Sequence, residues 1–129
     1  MSDDPDGGPR QSWDEQVVRR ALTAERRDVL ARIDALTGTY QDIVGAALSA
    51  NADDEHDPEG STIAYERAQT GALRDQARAH LLQLDQALQR LDGGRYGVCE
   101  DCGRHIAPAR LAARPSARTC VECASPGRG

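Results

Sequence analysis

Phenylalanine is absent from this 129-residue chain, which has only one Trp and three Tyr. A wide globular core normally draws on aromatic side chains, so thin packing between helices is expected instead. Lysine is absent too, and all 16 basic residues are Arg, a compositional feature without functional content. No apolar run approaches the roughly 20 residues that span a bilayer, so no membrane partner is expected. Residues 1–9 are acidic and rich in Gly and Pro, unlike the basic start and apolar middle of a signal peptide. A cytoplasmic location follows as the expectation, and there cysteines stay reduced. The net charge of −5 argues against a general nucleic-acid binder, and no sequence-specific DNA contact is expected.

What is present is helical periodicity. Residues 1–11 have none and are expected to form a disordered tail. Ser12 is the expected N-cap, with Glu15 at the capping-box position. Apolar residues then recur at Val18, Leu22, Val29, Ile33, Leu36, Tyr40, Ile43 and Ala47. From Val29 the spacing alternates between four and three, which is a heptad seam. Glu15 and Arg19 form a favourable pair one turn apart. The pattern gives way to an acidic, Pro/Gly-containing stretch at 51–60. A second helical stretch runs over about 61–92, with Ile63, Leu73, Ala77, Leu81, Leu84, Leu88 and Leu91 on one side. Gly93 and Gly94 signal its end.

The two stripes fit each other as an antiparallel pair. Facing residues in such a pair have position numbers with a nearly constant sum. Leu22 with Leu88, Val29 with Leu81, Ile33 with Ala77 and Ala47 with Ile63 all sum to 110. The fold class expected is mainly α: a long antiparallel coiled-coil hairpin over 12–94, its acidic tip at 51–60. A small C-terminal four-cysteine zinc finger follows at 95–123, with a short tail at 124–129. Each arm would be roughly 48 Å long at 1.5 Å per residue, which puts the acidic loop far from the finger. Trp13 falls opposite position 97, so Trp13, Tyr96 and Leu111 are expected at the hinge between finger and stalk.

The cysteines carry the strongest signal. Cys99 and Cys102, then Cys120 and Cys123, form two C-x2-C pairs separated by 17 residues. Two residues between cysteines let both sulfurs reach one tetrahedral ion at about 2.3 Å, and the separation suits a four-cysteine site. Gly103 suits the tight turn after the first pair. Four thiolates leave no open coordination position, so one structural Zn²⁺ is expected, without catalysis. A dithiol redox pair is the rival reading, but the βαβ setting of such sites is missing. His105 is expected to face solvent.

Two charged groups remain. Arg104, Arg110, Arg114 and Arg118 lie between the cysteine pairs with no acid among them. They are a candidate docking face for an acidic protein surface, or a solvated face. Asp53, Asp54, Glu55, Asp57 and Glu59 put five acids in seven residues, more than a polar turn requires.

Arg90-Leu91-Asp92, Tyr96-Gly97-Val98-Cys99-Glu100-Asp101-Cys102-Gly103, Ile106, Arg110-Leu111-Ala112-Ala113-Arg114-Pro115 and Cys120-Val121-Glu122-Cys123 together resemble the signature of the DksA/TraR family. The likeness is dense over 90–123 and extends more weakly to the hairpin. It implies a protein that binds bacterial RNA polymerase without a DNA sequence. Such proteins insert a coiled coil into the secondary channel and alter promoter-complex lifetime through acids at the tip, often with the alarmone ppGpp. Asp54 and Asp57 match the family's D-x-x-D-x-A tip motif, whereas Glu59 stands where Ala would be. The helix that follows the last cysteine in the founding type is not expected here. The reading is therefore a non-enzymatic, zinc-binding regulator of RNA polymerase, acting as a monomer. A zinc-finger protein–protein adaptor and a CxxC thiol oxidoreductase are the alternatives.

Overall fold

Asp14 starts the first helix. Its Oδ1 accepts hydrogen bonds from the backbone N–H of Gln16 at 2.8 Å and of Val17 at 3.2 Å, pairing donors that the first turn leaves open. The computed structural model describes residues 13–53 and 58–125, with backbone alone at 49–53 and 58–60. Ser12, the cap expected from the sequence, lies outside the described residues, as do the tail at 1–11 and residues 126–129.

Among the described residues, four helices follow in order: α1 Glu15–Asp53, α2 Pro58–Asp92, α3 Pro108–Ala113 and α4 Val121–Ala124. The long helices α1 and α2, of 39 and 35 residues, pack as a hairpin. Residues 51–53 and 58–60, read from the sequence as loop, are helical. Pro58 marks a helix start here instead of a turn, because a missing N–H costs nothing in the first turn. At the other end of α2 the double glycine acts as expected. Gly94 takes a positive φ of 76°, the Arg95 N–H reaches back to the Arg90 carbonyl at 2.8 Å, and the Gly94 N–H reaches Leu91 at 3.3 Å. This closes the last carbonyls in a Schellman motif. No helix among the described residues is long and apolar enough to cross a membrane.

The chain divides into two compact units. One contains the start of α1 to Arg26 together with everything from Gln83 onward; the other is Arg27–Leu82. In the first, Val18, Leu22, Leu84, Ala87 and Leu91 are buried from the helices, and Tyr96, Cys99, Ile106, Leu111 and Ala117 from the finger. Arg19 pairs with Asp92 at 2.9 Å and Arg26 with Asp85 at 2.6 Å across the helices, while Glu15 holds Arg19 from one turn away at 3.0 Å.

Among the described residues of the second unit, only Val29 and Ala77 are buried. Ile33, Leu36, Tyr40, Ile43, Ala47, Ile63, Leu73 and Leu81 are half-buried. Two helices without a third layer cover a seam but leave its flanks open to water, so the heptad stripe is real yet thin. Tyr40 lies 3.4 Å from where a Cβ on Gly71 would stand, and the Arg74 guanidinium sits 4.5 Å above its ring centroid. The pairs Arg19–Asp92, Arg26–Asp85 and Tyr40–Gly71 each have position numbers totalling 111, one or two from the register expected from the sequence.

Leu84 has no exposed surface, whereas Leu82 is 58% exposed. Leu84→Ala should destabilise the chain by about 2–5 kcal/mol, the cost of a cavity in a packed site. Leu82→Ala should stay within about 0.5 kcal/mol. Urea unfolding of both variants checks the facing of α2, and equal midpoints would refute it. Leu81, expected opposite Val29, is the weaker probe because it is only half-buried.

Candidate metal centre and flanking surface

A short hairpin presents the first cysteine pair. Val98 and His105 form an antiparallel bridge, the Cys99 N–H donates to Arg104 at 2.8 Å, and the Ile106 N–H donates to Gly97 at 2.8 Å. Within the turn, the Gly103 N–H bonds the Cys99 carbonyl at 2.9 Å, and Gly103 has a φ of +78° that a side chain would strain. Cys120 and Cys123 stand at the start of and within α4, whose Ala124 N–H reaches Cys120 at 3.0 Å.

The four sulfurs converge. All lie within 4.8 Å of one another, and Cys102 and Cys120 are 3.9 Å apart. Thiolates bound tetrahedrally to one zinc ion are about 3.8 Å apart, given a Zn–S distance near 2.3 Å. Left to themselves, thiols this close do not ionise together. Burial opposes the Cys99 thiolate, but hydrogen bonds from the backbone of Cys102, Cys120 and Asp101 outweigh it and lower its pKa. The Cys123 thiol is pushed up, first by its hydrogen bond with Cys120 and then by desolvation. A divalent cation resolves that conflict, and the donor set fits structural zinc with no open position for a substrate. His105 is exposed and outside the cluster.

The segment between α3 and Cys120 has no regular structure, so other groups must hold its carbonyls. Tyr96 Oη donates to Pro115 at 2.6 Å, Arg90 Nη2 to Ala117 at 3.4 Å, and Arg110 Nε to Thr119 at 2.8 Å. The Glu100 N–H donates to the Arg118 carbonyl at 2.9 Å. Burial pushes the Tyr96 hydroxyl up to about 12, so it remains a neutral donor at ordinary pH. Trp13 meets the Tyr96 ring edge-on, with centroids 4.8 Å apart and planes at 78°. A Cβ at Gly97, whose φ is +85°, would come within 2.9 Å of Trp13 Nε1. Glycine is therefore required where the sequence register had already put Trp13 opposite position 97.

Of the basic residues picked from the sequence, Arg104 and Arg114 are exposed. Arg118 is exposed and pairs with Glu100 at 3.8 Å. Arg110 is half-buried, and its Nε is spent on the finger's own backbone. Among the acids, Asp54, Glu55 and Asp57 lie outside the described residues, while Asp53 and Glu59 contribute only backbone at helix ends. Sequence reasoning passed over the role of Arg90, which is buried, and Ala87, which continues the three-and-four spacing between Leu84 and Leu91.

Residues 94–126 match the prokaryotic DksA/TraR C4-type zinc finger. Over 111 residues, 86% of this chain, it is 32% identical to the RNA polymerase-binding transcription factor DksA of Caulobacter vibrioides, and it spans 65% of that protein's length. The Bacillus subtilis protein YteA is 37% identical over 115 residues, which make up 85% of this chain and 47% of YteA. Transcription factor DksA2 from Pseudomonas aeruginosa shares the fold with a TM-score of 0.70 at 27% identity, covering 84% of this chain and 78% of that one. With the finger, the hairpin and the relatives in agreement, the chain belongs to the DksA/TraR family.

Proposed function

We propose that this protein is a zinc-binding regulator of transcription that binds bacterial RNA polymerase. It inserts the segment that joins α1 and α2 into the secondary channel and modulates initiation there without being an enzyme. The observation that carries this reading is the joint likeness of hairpin and finger, over 86% of the chain, to a protein named for RNA polymerase binding. The charge pattern supports it. Asp53, Asp54, Glu55, Asp57 and Glu59 concentrate negative charge in the sequence between the two long helices, suited to acting near a catalytic Mg²⁺ or basic polymerase groups. Arg104 and Arg114 offer exposed cations on the finger for an acidic docking surface.

Competition on purified core polymerase tests the reading. Increasing amounts of the full chain should displace a known secondary-channel ligand completely and saturably. Binding without displacement would leave a zinc-finger adaptor docking elsewhere.

A further inference from the structure

Arg90 presents an unusual cost. Its side chain is only 8% exposed, in the last turn of α2, and removing a guanidinium from water is unfavourable unless charge and hydrogen bonds compensate. Its two arms reach different parts of the finger. Nη1 lies 3.4 Å from Glu100 Oε2, and Glu100 stands between Cys99 and Cys102. Nη2 lies 3.4 Å from the carbonyl of Ala117, three residues before Cys120. Both contacts are long for hydrogen bonds, so the charge of the buried guanidinium supplies much of their strength. Arg90, Glu100 and Cys99 also line one cavity of about 240 Å³.

We infer that Arg90 is a positioning residue of the zinc site, tying helix α2 to both halves of the four-cysteine centre and slowing zinc release. Two physical effects combine. The fork fixes the first pair through Glu100 and the approach to the second pair through Ala117, so neither half departs alone. A zinc ion with four thiolates carries a net charge of −2, and a fixed cation nearby favours that complex over the dissociated state. Lysine keeps the charge but cannot hold two acceptors in a planar fork.

The test is zinc release from the full zinc-loaded chain into excess chromophoric chelator, with helicity and melting midpoint followed in parallel. Arg90→Met should release zinc about tenfold faster or more, in line with the usual effect of removing a group that supports metal ligands. Arg90→Lys should fall between Arg90→Met and the parent. Leu84→Ala lowers stability in the same unit without touching either cysteine pair, and should release zinc more slowly than Arg90→Met at matched melting midpoint. Release by Arg90→Met at the parent rate would overturn the inference. So would release that simply follows melting midpoint across the three variants. Should Arg90→Met fail to fold, Arg90→Lys carries the test, because it keeps the charge and loses the planar fork. It should speed release several-fold, and a parent-like rate there would overturn the inference equally.

Discussion

Cys102→Ser is expected to release the zinc almost completely while most of the helical signal survives. A serine hydroxyl is a poor replacement for a thiolate, and structural zinc in small domains contributes apparent binding energies of about 10–16 kcal/mol. The finger's own helices are short, six residues in α3 and four in α4, whereas α1 and α2 have 39 and 35. The heptad seam of Arg27–Leu82 uses no residue from the finger. The damage should therefore concentrate in the unit that joins the finger to Val18, Leu22 and Leu84. A lowered melting midpoint, with far-UV circular dichroism near the parent value at low temperature, is the expected pair of results. Collapse of the whole helical signal in Cys102→Ser would show that the hairpin cannot stand without the metal.

The second large effect is functional and rests on the proposed reading. Changing Asp54 and Asp57 together to Asn should abolish the effect on transcription while leaving polymerase binding largely intact. Asn keeps the size of Asp and removes only its charge. Binding affinity should instead come from a few well-packed contacts along the helices and finger. Run-off transcription paired with a binding titration separates the two. Normal regulation by the double variant, or joint loss of binding and regulation, would remove the acidic segment from its active role.

Much of this was legible in the sequence because two signals are local and repetitive. The heptad spacing of Val29, Ile33, Leu36, Tyr40 and Ile43 repeats often enough to fix a register, which is why Tyr40 meets Gly71 within two positions of expectation. The cysteine pairs show themselves through spacing alone, because chelation demands it. The finger's internal support was hidden for the opposite reason. Arg90 reads as an ordinary basic residue near a helix end, and its partners Glu100 and Ala117 lie 10 and 27 positions away. Arg110 looked free for a partner until its Nε was found on the Thr119 carbonyl. The end of α1 and the start of α2 were misread because Pro58 signals a break and a helix start equally well.

Photocrosslinking from the end of α1 shows whether this part of the chain enters the secondary channel of RNA polymerase. A photoreactive amino acid at position 52, next to the last residue of α1, would be placed in the otherwise native, zinc-loaded chain. Crosslinks to the largest polymerase subunits within the secondary channel are expected, and none when a known channel ligand is present in excess. Crosslinks confined to the outer surface of the enzyme, or unchanged by that competitor, would contradict it.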